Sequence, residues 1–480
     1  MTRKNMRAPS FSAPMGRRGA ASQLAVSIAM IALPPYSGFK RTTSNLGEAV
    51  LTEDTIDEDR LVTRLAWRLM PLLTIMFLAS FIDRQNVGFA KLQMIPALAT
   101  NDNDYGFASS LFFVAYLVFE IPSTLAVHKY GARFWMARIM LTWGIVTVLQ
   151  GFFHSVLAFQ ILRCLLGVAE AGLYPGILFY LTLWFPQRHR TRVLGLFTLG
   201  SACANAVGSL LGGPLLDLGG LLGLAGWQWV FVVTGALPII LTVLVLLFLP
   251  SGPEEAKFLS PAEKSWLKDR LAAERSADAT EGNPYAALID WRVLGFAGIY
   301  MMMSTSLYGV SYWLPTVVKG FGVSASVNGL LNTIPWALSA CMLAWLPAKL
   351  RRDRIMLRAV VVIAACGIAV FVASTQLPSN GLRFAALVLG APCIQLLYPC
   401  FWSLPPRFFS GARAAASLAA INSIGNLGGF WGQNLMPWIA TSTKSNILPM
   451  LLPAACLTVL GLAALIARMM LAQNKAAAPA

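Results

Sequence analysis

From Leu65 onward the chain is a succession of long apolar stretches separated by short polar joins, and this limits its fold more than any other feature. The stretches fall near 68–90, 107–127, 134–153, 157–184, 193–215 and 227–249. After a break they resume near 292–314, 325–347, 356–375, 382–404, 413–437 and 447–470. A helix needs roughly 20 apolar residues to cross a bilayer. Inside hydrocarbon every backbone polar group must find its partner within the chain, so such stretches become helices. Only 12% of the residues are charged, against about 25% in an average soluble domain. The expected fold is an all-α polytopic membrane protein: 12 transmembrane helices arranged as two six-helix bundles, residues 65–249 and 292–470.

The net charge of +16 does not indicate a nucleic-acid partner, because the basic residues lie in short clusters between apolar runs. That pattern suits cytoplasmic loops under the positive-inside rule. Lys129, Arg133, Arg188, Arg190, Arg192, Lys349, Arg351, Arg352, Arg354, Arg358, Arg407 and Arg413 fall on one side of the spans. Lys91, Lys319, Arg383 and Lys444, with the acids Asp102, Asp104 and Asp217, fall on the other. The count places both termini in the cytoplasm of a multi-pass plasma-membrane protein, the inner membrane if the cell is bacterial.

Residues 1–64 are expected to be a disordered cytoplasmic tail. The run Ala20–Leu33 after Arg17 and Arg18 resembles a signal-peptide core, but a cleaved signal would oppose the loop-charge bias. Residues 250–291 form the long polar break, a cytoplasmic linker. In it Ser260-Pro261-Ala262-Glu263 reads as an N-cap with proline at N1 and glutamate at N3, opening a short amphipathic helix. Residues 471–480 are a C-terminal tail. The seven cysteines all lie in apolar spans without CxxC or metal-ligand spacing, and the three histidines are isolated. No metal or cofactor is expected, and the lipid bilayer is the surrounding partner of a monomer.

The halves read as repeats. Span 4 contains Leu173-Tyr174-Pro175 and span 10 contains Leu397-Tyr398-Pro399. Each precedes a basic loop and then a helix rich in Gly, Ser and Asn. Small residues let helices approach closely. Parallel repeats with a site between them near the midplane are a transporter architecture.

The ionisable residues inside the spans are concentrated in the first half. Asp83 and Arg84 sit roughly 20 Å along the first span at 1.5 Å per residue, and Glu120 lies on the second with Tyr116 one turn away. Arg163 and Glu170 lie seven residues apart on the fourth, on one face with Gly167 and Tyr174. Scattered toward lipid, these five groups would cost roughly 12 kcal/mol or more. They are tolerable only facing one another, water or a solute. The second half offers Tyr308, Tyr312, Trp313, Asn332, Trp336, Gln395, Tyr398, Asn422 and Asn426 instead. A cavity between the halves therefore suits a small organic anion, with Arg84 as its fixed cation. Static alternatives remain: Arg163 and Glu170 as an intrahelical pair, the aromatics as packing, Asn422 and Asn426 as helix glue, and Glu120 as a structural gate.

Coupling to protons follows from the same groups. Asp83 and Glu170 each have an arginine within reach for which a bound anion competes. An acid that loses its arginine gains affinity for a proton. Anion and proton then bind with positive coupling, which is symport by linkage.

The phrases RLMPLLTIMFLASFIDRQNVGFAKLQM, FEIPS…YGARFWMARIMLTWG, RCLLGVAEAGLYPGILFYLTLWFP and INSIGNLGGFWG resemble the anion:cation symporter family of the major facilitator superfamily. That family includes bacterial tartrate, phthalate, hydroxyphenylacetate and sugar-acid permeases. The resemblance implies a symporter of a small organic carboxylate and H⁺, working by alternating access. By resemblance, Asp83 and Arg84 serve proton coupling and carboxylate binding, and Glu170 is a second proton site. Tyr116 and Asn422 or Asn426 line the substrate. The chain departs from the superfamily pattern at His128, where an acid is usual, and in the 8–9 loop LPAKLRRDRIML, which lacks its glycines. The remaining alternatives are an exchanger or effluxer of the same fold, a membrane-embedded enzyme and a non-transporting receptor. Against the enzyme, the sequence contains no metal cluster, Ser/His/Asp set, CxxC or phosphate loop.

Overall fold

The computed structural model describes residues 56–278, 290–346, 353–409 and 412–476. The tail through residue 55, the end of the linker and most of the 8–9 loop lie outside the described residues. So do the expectations placed on them.

The first half contains α1 (Glu58–Ala97), α2 (Asp102–Tyr130), α3 (Ala132–Gln150), α4 (Val156–Glu170), α5 (Leu173–Thr182), α6 (Gln187–Leu216) and α7 (Gly226–Phe248). Linker helix α8 (Pro261–Asp278) follows. The second half contains α9 (Trp291–Lys319), α10 (Ala325–Trp345), α11 (Asp353–Gln376), α12 (Asn380–Gln395) and α13 (Leu397–Trp402). It ends with α14 (Ala412–Asn426), α15 (Gly428–Thr443) and α16 (Leu451–Ala476). No strand occurs among the described residues.

Among the described residues, eleven helical spans are long and apolar enough to cross a membrane. The remaining expected span, 413–437, falls on α14 and α15, of 15 and 16 residues, which are broken at Leu427. Many large apolar side chains point outward, among them Val118, Leu125, Leu247 and Phe248. In water such a surface would aggregate; against acyl chains it is matched.

The helices begin and end for local reasons. α1 starts at Glu58, ahead of the expected bundle boundary at 65. Asp57 caps it by accepting from the Arg60 N–H at 3.1 Å, and Glu58 and Asp59 complement the helix dipole. The linker helix starts with both bonds of a capping box, Ser260 N–H to Glu263 at 2.9 Å and Glu263 N–H to Ser260 Oγ at 3.2 Å.

The fourth span breaks just after Glu170. Gly172 adopts φ +87, and a Cβ there would lie 2.2 Å from Ser123 Oγ. The carbonyl of Ala171, freed by the break, accepts from Ser123 Oγ at 2.6 Å.

The described part of the linker, through Asp278, is docked against the first half. Ala256, Leu259, Leu267 and Leu271 are buried in the core of the first half. Glu263 pairs with Arg64, and Glu274 accepts from Gln187 N–H and Arg190.

The halves meet tightly at one end, called here the far face, opposite the end where α1 begins. Asp217 accepts from the N–H and hydroxyl of Ser326, and Lys319 donates to the Leu92 carbonyl at 2.8 Å. Asn103 donates to Thr441 at 3.2 Å and Ser109 to Gln433 at 2.9 Å. α6 and α10 cross with Gly213 against Gly329, so close that a Cβ on Gly213 would sit 2.3 Å from the Ala325 carbonyl oxygen. One apolar core runs through both halves here, joining Phe89, Tyr105 and Trp227 to Trp313, Trp336 and Met436. The far face is therefore closed. Nearer the opposite face, Glu120 of α2 accepts from Asn422 and Ser423 of α14.

Gly167 fixes how α4 lies on α2. A Cβ at Gly167 would stand 2.4 Å from the Phe112 carbonyl oxygen. Gly167→Ala gains about 1 kcal/mol of helix propensity. It also drives a methyl into backbone that cannot step aside, and overpacking costs about 1–3 kcal/mol. The clash wins because its target is main chain. A thermal melt of the purified variant should show a lower Tm than wild type.

Candidate functional site

The candidate site lies at the seam where α1, α2 and α4 meet α9 and α14. Arg84 is its centre. Its Nη2 and Nε donate to one oxygen of Glu170, Oε1, at 2.6 and 3.0 Å. Its Nη1 donates to the Tyr308 hydroxyl, on the other half, at 2.9 Å. Phe81, Phe112 and Tyr116 surround the guanidinium with ring centroids 5.2 to 5.4 Å away. Cations and aromatic faces attract at such distances. Glu170 is wholly buried, and its second oxygen, Oε2, has no hydrogen-bond partner. Both amino-half partners of Arg84 are thus set by local structure: Glu170 by the helix break behind it, and Tyr116 by the packing of α2 on α4.

Asp83 points elsewhere. Its Oδ1 accepts from Asn86 at 2.9 Å, while Oδ2 has no hydrogen-bond partner. Arg163 is its strongest charged neighbour, with Trp143 and Thr147 beside it. Arg163 donates through Nε to the Ser109 carbonyl at 3.1 Å, leaving Nη1 unpartnered. Across helices, Arg84 pairs with Glu170, while Arg163 is the strongest charge acting on Asp83 without an ion pair between them. The intrahelical Arg163–Glu170 pair is not formed, and neither is a local Asp83–Arg84 pair. Residues on adjacent helical positions point about 100° apart.

The free space beside Arg84 is small, about 10 Å³, room for a single water. Its polar lining is Arg84, Gln85, Asn205, Tyr308 and Ser311. Ser311 donates to Asn205 across the seam at 2.9 Å, and Gln85 donates to Ser209 at 2.7 Å. Several polar groups around this space thus bond to one another across the seam.

Of the residues singled out in the sequence, Arg84, Glu170, Tyr116 and Tyr308 are brought together. Asn422 comes to the same seam but is engaged by Glu120 at 3.2 Å. Asn426 is buried one turn further on, without a hydrogen bond to the cluster. Tyr312 and Trp313 are not beside Arg84. They lie toward the far face around Lys91, and the Trp313 indole donates to the Asn446 carbonyl at 2.9 Å. One helical turn separates Tyr308 from Tyr312, and that turn carries the second away from the arginine.

Sequence reasoning missed two groups. Lys91, counted there with the loops, is 2% exposed inside α1. Gln85 and Asn205 line the free space, although the polar texture of the DRQN stretch and of the fifth span was visible. Glu120, read as a gate or loop partner, is buried and bridges the halves.

Two bundles of membrane-crossing helices, closed at one end over buried charges at their seam, have the architecture of a membrane transporter. The chain belongs to the Major Facilitator Superfamily, whose family model matches residues 73–433. It is 39% identical over 405 residues to a protein of Agrobacterium vitis named "Putative tartrate transporter", covering 83% of this chain and 88% of that one. It is also 39% identical, over 378 residues, to a "Quinolone resistance transporter" of Acinetobacter baumannii, covering 78% and 87%. Among solved structures it resembles a bacterial homologue of the human lysosomal transporter Spinster in an inward-facing, occupied conformation. The TM-score is 0.66 at 15% identity, covering 85% of this chain and 97% of that one. At that identity the likeness speaks for the fold alone.

Proposed function

We propose that this transporter carries a small organic carboxylate into the cell together with a proton. The observation that supports the reading best is Arg84, a part-buried cation held by Glu170 from its own half and by Tyr308 from the other. An incoming carboxylate can take the guanidinium in bidentate fashion. Glu170, displaced, then accepts a proton in place of its arginine. Each binding event favours the other, and coupling of this kind is typically worth about 1–3 kcal/mol. Asp83, with its own free oxygen and Arg163 as its strongest charged neighbour, is the second proton site, and Arg163, Tyr116 and Asn422 complete the surroundings of the anion.

The Lys and Arg distribution of the loops supports a plasma-membrane orientation with both termini cytoplasmic and the far face outside. The functional unit is the monomer. The name of the Agrobacterium vitis relative makes tartrate the first substrate to test. In proteoliposomes, tartrate uptake should accelerate when the outside is made acid relative to the lumen, and a protonophore should abolish accumulation above equilibrium. Accumulation untouched by the protonophore would contradict proton coupling. A second reading, efflux, draws on the "Quinolone resistance transporter" relative. It predicts that expressing cells extrude a preloaded fluoroquinolone faster than control cells.

A further inference from the structure

We propose that Lys91 is a second anion contact on the transport path, an outer station reached before Arg84; the inference rests on the anion-transport reading above. Lys91 follows Arg84 by seven residues on α1, so the two cations share a helix face, about 10 Å apart along the axis. Their surroundings repeat. Arg84 has an acid from its own half, Glu170, and a tyrosine from α9, Tyr308. Lys91 has Asp102 from its own half at 3.6 Å, and from α9 the rings of Tyr312 at 4.4 Å and Trp313 at 3.6 Å. Tyr312 follows Tyr308 by one turn, as Lys91 follows Arg84 by two.

The ammonium is poorly satisfied for a purely structural group. Its side chain is 1% exposed, and Nζ makes no hydrogen bond. An ammonium carries three donors, and burying it with only an ion pair and two rings costs more than burying an apolar residue of that size. Asp102, by contrast, is 39% exposed and wet. The rings covering Lys91 belong to the opposite half. They stay over it only while the far face is closed.

When the far face opens, Tyr312 and Trp313 withdraw and Lys91 is bared. Lys319, which now caps the Leu92 carbonyl from across the seam, is freed beside it. A carboxylate arriving from that side meets this pair of cations first. Asp102 competes for Lys91 and gives way to the incoming anion. Closure returns the rings to Lys91 and leaves Arg84, two turns deeper, as the remaining cation for the solute.

The test is uptake of radiolabelled tartrate by intact cells expressing the full chain. Lys91→Gln should raise KM at least tenfold with Vmax within about twofold of wild type, and Lys91→Arg should hold KM near wild type. Asp102→Asn should lower KM, because it removes the competitor. A merely structural Lys91–Asp102 latch would instead impair Vmax in both variants. An unchanged KM in Lys91→Gln, in cells whose wild type takes up tartrate, overturns this inference alone. Wild-type cells that take up none of a panel of small radiolabelled carboxylates contradict the functional reading and this inference with it. Should Lys91→Gln not reach the membrane, Asp102→Asn decides: a KM equal to or above wild type is the overturning result.

Discussion

Arg84→Ala is expected to weaken carboxylate binding by at least 100-fold and to reduce uptake to background. Two effects act in the same direction. The variant loses a guanidinium that both halves contact, and charge-assisted bonds to a carboxylate are among the stronger polar contacts a protein makes. It also leaves Glu170 buried without a cation, and breaking a buried pair from one side typically costs about 3–5 kcal/mol. Arg84→Lys separates the two contributions. It keeps a charge for Glu170 but not the planar fork, so the protein should remain folded and bind the anion more weakly than wild type. Thermal stabilisation of the purified protein by tartrate measures both variants. Undiminished stabilisation in Arg84→Ala would remove Arg84 from the binding site.

Glu170→Gln should separate transport from the proton gradient. A glutamine at this position resembles the protonated acid permanently. It can neither pick up a proton with the anion nor release one afterwards. Accumulation against a gradient should fall to equilibrium, while tartrate:tartrate exchange across the same vesicles continues within a few-fold of wild type. The sign of the pH effect follows from competition for Arg84. In the wild type, raising pH deprotonates Glu170, which holds the guanidinium against the anion, so apparent affinity falls. In Glu170→Gln that competitor is gone, so affinity should be higher at alkaline pH and vary less with pH. Asp83→Asn should also lose gradient-driven accumulation. Because Arg163 acts on Asp83 more strongly than Arg84 does, the variant should leave the pH dependence of binding closer to wild type. Accumulation retained in Glu170→Gln would assign the proton elsewhere.

Much of the fold could be read from hydropathy, because a bilayer leaves a twenty-residue apolar stretch few options besides a helix. The helix breaks were harder. Gly172 and Leu427 interrupt spans four and eleven without a change in apolar character, and Gly172 is required because Ser123 of a neighbouring helix occupies the place of its Cβ. The residues of the charged cluster were legible for the same reason as the helices: acids and arginines stand out in apolar surroundings. Their pairing was not. Spacing along α4 put Arg163 and Glu170 on one face, but Glu170 found its arginine on α1 and Arg163 its hydrogen bond on α2, and no single-helix pattern encodes those crossings. Lys91 escaped for a related reason. Near the end of a span, a lysine in water and a lysine shut under two rings of another helix look alike in sequence.

The contact between Gly213 and Gly329 bears on how such a chain can change its cargo. Backbone meets backbone there, so at this crossing the far end shuts by shape, beside the polar bonds that tie Asp217 to Ser326 and Lys319 to Leu92. Replacements around Arg84 could then alter the solute without retuning the switch. A lineage built this way can diversify its diet while its moving parts stay fixed.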